Sequence, residues 1–162
     1  MSSKRVLTLA LALALAGCGF RLRGTAEVPF ESLYVPGATS GIALDLKRNI
    51  QAGTKARVVD DPQQADAVLQ FVEESRNKEI LSLTGTGRVR EFQLRYRVGF
   101  RVHDSKGADY VPLSTIQLTR DVTFNDAEIL AKEAEEQLLF RDMQSDMVQQ
   151  IMRRLAAAQR PT

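Results

Sequence analysis

Glu91-Phe92-Gln93-Leu94-Arg95-Tyr96-Arg97-Val98-Gly99-Phe100-Arg101-Val102 alternates polar and apolar side chains along almost its whole length. Successive side chains of a strand point to opposite faces, so this spacing is a strand signature. Phe92, Leu94, Tyr96, Val98, Phe100 and Val102 share one face, and Glu91, Gln93, Arg95, Arg97 and Arg101 share the other. The stretch therefore predicts a long strand with one face in a core and one face in water. Working outward, Thr84-Gly85-Thr86-Gly87 before it and Asp104-Ser105-Lys106-Gly107 after it read as tight turns, because glycine accepts positive φ. Two more strands flank the central one. Upstream, Val68–Val72 and Ile80–Leu83 are apolar-rich, with the polar run Glu73–Glu79 between them as the exposed middle of one long strand or a bulge. Downstream, Leu113–Phe124 carries Ile116, Leu118, Val122 and Phe124 on one face.

The flanks turn helical. Ile42, Leu46 and Ile50 fall at i, i+4 and i+8, predicting a helix from about Gly41 to Gln51 with Ser40 as its N-cap and Gly53 as its C-terminal cap. Phe140, Met143, Met147, Ile151 and Leu155 form a second stripe, within a long helix from Glu128 to about Ala157 that Asn125-Asp126 can cap. Phe30–Val35 is a short strand stopped by Pro36-Gly37, and Val58-Val59 is either a brief strand or an extended link. The expected architecture is α+β: two helices packed on one face of a mostly antiparallel or mixed four-stranded sheet, in the order β-α-β-β-β-α.

The N-terminus sets the compartment. Lys4 and Arg5 precede an apolar run, Val6–Ala16, of about eleven residues. That is too short for a hydrocarbon core of about 30 Å, which takes about 20 apolar residues, and it has the length and flanks of a secretory leader. The run ends in Leu15-Ala16-Gly17-Cys18, small residues before a cysteine as a lipoprotein signal peptidase requires. Residues 1–17 are expected to be removed, leaving Cys18 with an S-diacylglycerol and an N-acyl group. More than one chain on that sulfur and amine anchors stably where one alone is marginal. Gly19 in place of Asp favours export to the outer membrane. Residues 18–28 read as a lipidated tether, 29–158 as a single domain and 159–162 as a disordered tail. Arg21 and Arg23 in the tether fall near anionic headgroups.

Composition removes several classes of chemistry. Lys4 and Arg5 lie in the leader and match the formal net charge of +2, so the mature chain is about neutral and does not call for nucleic acid. Cys18 is the single cysteine and His103 the single histidine. A disulfide framework within one chain and a Cys- or His-based metal site are thereby disfavoured. There is no G-x-S-x-G elbow, and Gly85-Thr86-Gly87 lacks the Gly-Lys-Ser/Thr of a phosphate loop. The expectation is a non-enzyme, with no cofactor beyond the acyl groups on Cys18.

The layout and its end motifs resemble the lipopolysaccharide-assembly lipoprotein family LptE. The matching points are Cys18-Gly19-Phe20-Arg21-Leu22-Arg23, Arg90-Glu91-Phe92-Gln93-Leu94 in the central strand, and Leu130-Ala131-Lys132-Glu133 with Arg153-Arg154-Leu155 in the last helix. The resemblance implies an outer-membrane lipoprotein, on the periplasmic side or inside a lumen. There it would act as a 1:1 plug in the LptD β-barrel translocon, assist its assembly and bind lipopolysaccharide. Lys132 matches a basic position that the family uses for lipopolysaccharide contact; its other reading is a solvated lysine near Glu128 and Glu136 at i±4. The family's second basic contact falls in the hairpin loop Leu83–Arg88, which has no arginine at the matching position, so Arg88 or Arg90 is expected to substitute. Arg95, Arg97 and Arg101 form a basic row that suits phosphate, since arginine binds phosphate as a bidentate fork, or is simply the wet face of the strand. Arg120 falls on the apolar register of its strand, where it would pair with an acid or touch the barrel. Glu133, Glu135 and Glu136 read as a solvated helical face. Two other functions fit the same leader: a tethered lipid carrier or receptor, and a structural lipoprotein without a barrel partner. A carrier needs a deep apolar cavity, and the helix stripes read as fully used in packing.

Overall fold

The computed structural model describes residues 26–161. The leader, Cys18 and most of the tether lie outside the described residues. Five strands and two helices follow in the order β1 (Ser32–Tyr34), α1 (Gly41–Gly53), β2 (Arg57–Val59), β3 (Ala67–Leu83), β4 (Val89–His103), β5 (Asp109–Thr123) and α2 (Ile129–Ala156), with short 3₁₀ turns at Pro62–Gln64 and Asp126–Glu128. The strands form one mixed sheet in the order β2-β1-β3-β4-β5. β1 runs parallel to both β2 and β3, while β3-β4 and β4-β5 are antiparallel hairpins. The sheet thus has five strands rather than four: Val58-Val59 is a true strand, paired to Leu33-Tyr34.

The central alternation holds residue by residue. Leu94, Tyr96, Val98, Phe100 and Val102 are fully buried, and the two helices cover this face. Glu73–Glu79 is both the exposed middle of a continuous strand and a neighbour of a bulge, since the β3-β4 register slips between Phe71 and Glu73. The slip turns Glu74, Arg76, Lys78 and Ile80 onto the helix side, opposite Val98, Tyr96, Leu94 and Phe92. Gly87 (φ +80°) and Gly107 (φ +87°) close the two hairpins in the left-handed conformation that only glycine adopts cheaply.

Some capping expectations fail. Ser40 occupies the N-cap of α1 but makes no side-chain bond there. Gly53 is the last helical residue; Thr54 ends α1, its N–H and its hydroxyl both donating to Ile50 O. Asn125 does cap, accepting from Ala127 N at 3.1 Å at the 3₁₀ turn before α2. The stripe on α2 is used only in part. Met143, Met147, Val148, Ile151 and Leu155 are buried, but nothing from Ile129 to Asp142 is, and Leu130 is 82% exposed.

The tether region enters the fold earlier than expected. Ala26 bridges Thr54 in parallel and its N–H donates to Gly53 O at 2.7 Å, while Val28 packs against the core. At the other terminus Arg160 donates to Pro29 O at 3.0 Å. No helix among the described residues is long and apolar enough to cross a membrane.

Candidate functional site

The sheet splits the sequence-predicted cations into two places. Arg88, Arg90 and Lys132 gather at the hairpin tip, and Arg95, Arg97 and Arg101 lie on the face away from the helices. The tip is assembled by backbone pairing. Phe124 N donates to Arg90 O at 2.8 Å, joining the start of β4 to the end of β5. Lys132 Nζ then reaches Thr123 Oγ1 at 3.3 Å, so the first turn of α2 closes over the same end. Arg88 is exposed in the turn, where its backbone N–H donates to Thr84 Oγ1 at 3.1 Å.

Lys132 is not the free helical lysine its neighbours suggest. Its ion-pair partner is Glu135 at 2.8 Å, an i, i+3 contact, rather than Glu128 or Glu136. Glu136 instead reaches across to the sheet and binds Lys78 at 2.6 Å. Lys78 was not singled out by the sequence, because the bulge after Phe71 inverts its register. Its ammonium also lies 4.3 Å from the Phe92 ring centroid, a cation–π distance. Phe92 in turn meets Phe124 edge-on, with centroids 5.2 Å apart. Exposed apolar side chains surround these cations: Ile80, Leu81 and Leu83 on β3, and Ile129 and Leu130 on α2. The tip therefore carries both requirements of an amphiphile contact, carbon surface and cations.

The open face is different. Arg95 pairs with Glu79 at 2.8 Å, Arg97 with Glu73 at 3.2 Å and Arg101 with Asp109 at 2.8 Å. The expected basic row is a ladder of cross-strand ion pairs, nearly balanced in charge. Arg95 Nε is buried without a partner among the described residues. Ser75, Asn77, Thr115, Gln117 and Thr119 fill the rest of the surface, alongside the ladder in register. Arg120, on the helix side as expected, pairs with Asp146 of α2 at 2.8 Å.

One polar cluster ties both helices to the sheet. Tyr96 donates to Glu74 at 2.7 Å, Arg76 stacks 4.6 Å above the Tyr96 ring and binds Gln144, and Gln144 donates to Asp45 of α1. Burial, chiefly, pushes the Tyr96 hydroxyl well above the ordinary phenol range. His103 is half-buried with Nδ1 2.7 Å from Asp104 O. Among the described residues no group of three or more His, Cys, Asp or Glu side chains could hold a metal ion.

These features define a small α+β domain with an open, polar, ion-paired sheet face and an amphiphilic hairpin tip. Comparison with known proteins gives the particular family: the lipopolysaccharide-assembly family LptE matches residues 25–155, and the chain belongs to it. The chain is 32% identical over 157 residues to the LPS-assembly lipoprotein LptE of Photorhabdus laumondii, covering 93% of this chain and 85% of that one. It is 34% identical over 158 residues to the LptE of Yersinia enterocolitica, covering 93% and 75%. Among solved structures, lipoprotein B of Nitrosomonas europaea superimposes with a TM-score of 0.73 at 48% identity over 86% of this chain and 91% of that one. Rare lipoprotein B of Shewanella oneidensis gives 0.66 at 25% identity over 78% and 92%.

Proposed function

We propose that this chain is a non-enzymatic outer-membrane lipoprotein, held through acyl groups on Cys18. In this reading it plugs the LptD β-barrel in a 1:1 complex, assists its assembly and binds lipopolysaccharide on its way to the cell surface. The observation that carries the reading is the uncovered face of β3-β4-β5. An exposed sheet face of this size on a free protein needs no particular chemistry, but one seated in a barrel lumen must match polar walls. Here the face is a ladder of Arg–Glu and Arg–Asp pairs set among Ser, Thr, Asn and Gln. Its length also suits the role. At about 3.3 Å per residue, strands of this length extend roughly 50 Å, comparable to a bilayer of about 40–45 Å with its headgroups.

Lipopolysaccharide phosphates are expected at the tip, on Lys132 with Arg88 or Arg90, because exposed apolar side chains adjoin the cations there, whereas Arg95, Arg97 and Arg101 stand in a polar face. Detergent extraction from the native membrane tests the main reading: the chain should come out with a large integral barrel, its N-terminal peptide beginning at acylated Cys18. Recovery of the free monomer alone would overturn the plug, and a tightly held acyl lipid in that monomer would point to the tethered carrier. For the ligand, Lys132→Glu with Arg88→Glu should weaken lipopolysaccharide binding. Because Lys132 is half-buried and paired with Glu135, the melting temperature is followed alongside; Arg88→Glu alone, at an exposed turn position, should move stability by less than about 0.5 kcal/mol.

A further inference from the structure

The sheet-facing stripe of α2 changes character halfway along. From Met143 onward it is carbon, buried against β4, β5 and α1. Before Met143 the same stripe, stepping by three and four residues, reads Ile129, Lys132, Glu136, Phe140. Polar side chains thus stand where a packed helix would place apolar ones, and both Lys132 and Glu136 are half-buried. The sheet beneath is apolar. Ile80, Phe92 and Val122 form one row across β3, β4 and β5, with Phe124 set edge-on against Phe92. Ile80 remains 59% exposed and Ile129 48%. The ion pair Lys78–Glu136 and the Lys132–Thr123 hydrogen bond join this half of the helix to the sheet. Partly exposed contacts of that kind hold weakly.

We propose that the first three turns of α2 and the Ile80–Phe92–Val122 row form a cleft that admits an acyl chain of a phosphorylated amphiphile, Lys78 passing from the Glu136 carboxylate to the amphiphile's phosphate as the chain enters. Lys78 is paired in both states, and the Glu136 carboxylate it leaves is taken up by water. In the closed state Lys78 is neutralised by Glu136 and covers the Phe92 ring; in the open state a phosphate takes the carboxylate's place and a hydrocarbon chain takes the place of water over Ile80 and Phe124. Opening uncovers Val122 at the edge of the core and loosens Leu139 and Phe140 where they pack on it, but leaves the fully buried stripe from Met143 onward in place. The inference rests on the lipopolysaccharide-binding reading above and adds to it where the acyl part goes and which further cation it recruits.

The test uses the full membrane-anchored chain in phosphatidylcholine nanodiscs, with spin labels at Leu130→Cys and Gln117→Cys. Diphosphorylated lipid A should lengthen the interlabel distance, while the fully deacylated diphosphoryl disaccharide should not. Ile80→Ser should weaken lipid A binding by about fivefold or more, the scale expected for losing part of one buried aliphatic contact. It should leave both the melting temperature and the affinity for the deacylated sugar unchanged. Glu136→Gln should tighten lipid A binding by removing the competing anion. Lipid A bound at full affinity by both the parent and Ile80→Ser, with the interlabel distance unmoved, would overturn the cleft and leave lipopolysaccharide binding standing. Absence of any lipid A binding by the parent protein would overturn both.

Discussion

Replacing Met147 with Ala should cost several times more stability than replacing Leu130 with Ser, although both are large apolar residues on the same helix. Met147 is wholly buried within the core, whereas Leu130 is 82% exposed. Truncating a buried methionine loses its transfer free energy and leaves a cavity, together about 2–5 kcal/mol. For Leu130 there is little burial to lose, and the change should stay within about 0.5 kcal/mol, most of it helix propensity. Against a net stability of about 5–15 kcal/mol the first figure is severe. For a domain of this size each kcal/mol moves the midpoint by about 3–5 °C, so Met147→Ala should lower it by about 6 °C or more and Leu130→Ser by about 2.5 °C at most. Thermal and urea unfolding followed by circular dichroism would measure both. If Leu130→Ser lowered the midpoint as far as Met147→Ala, the first turns of α2 would be part of the cooperative core, and the division of this helix argued from burial would be wrong.

Tyr96 gives a pH prediction. Burial raises its folded pKa above the unfolded value of about 10, so its contribution is complete below pH 10 and is lost as pH rises further, at up to about 1.4 kcal/mol per pH unit; Tyr96→Phe should flatten that alkaline slope in urea titrations. Gly87→Ala forces a side chain into φ +80° and should destabilise by about 1 kcal/mol, with no effect expected on the secondary-structure spectrum. A double-mutant cycle of Arg97→Ala with Glu73→Ala should return a coupling of only about 0.2–1 kcal/mol that shrinks with salt, because both partners are partly exposed; a larger, salt-independent value would mean the pair is effectively buried.

The alternation Phe92–Val102 and the spacing Met143–Leu155 depend on local geometry alone, period two for a strand and 3.6 for a helix, so the central strand, the core face of the last helix and the α+β class could be read from the chain. So could the turns at Gly87 and Gly107, where positive φ leaves little choice but glycine. The expected lipoprotein leader rests on a one-dimensional signal as well, and it lies outside the described residues. Other features required the folded chain. The fifth strand is three residues long and exists only because Leu33 and Tyr34 offer it a parallel edge. The bulge after Phe71 reverses the facing of Glu74, Arg76 and Lys78, and no pattern in β3 by itself announces a slip that depends on β4. The fate of the arginine row was equally non-local: Arg95, Arg97 and Arg101 are adjacent in alternation, but their partners Glu79, Glu73 and Asp109 are supplied by two other strands. Sequence spacing determined which residues share a face, since the backbone imposes that on every residue in turn. Which charges meet across strands, and where the buried stripe of the last helix gives way to polar contacts with the sheet, was decided only when register and packing brought distant segments together.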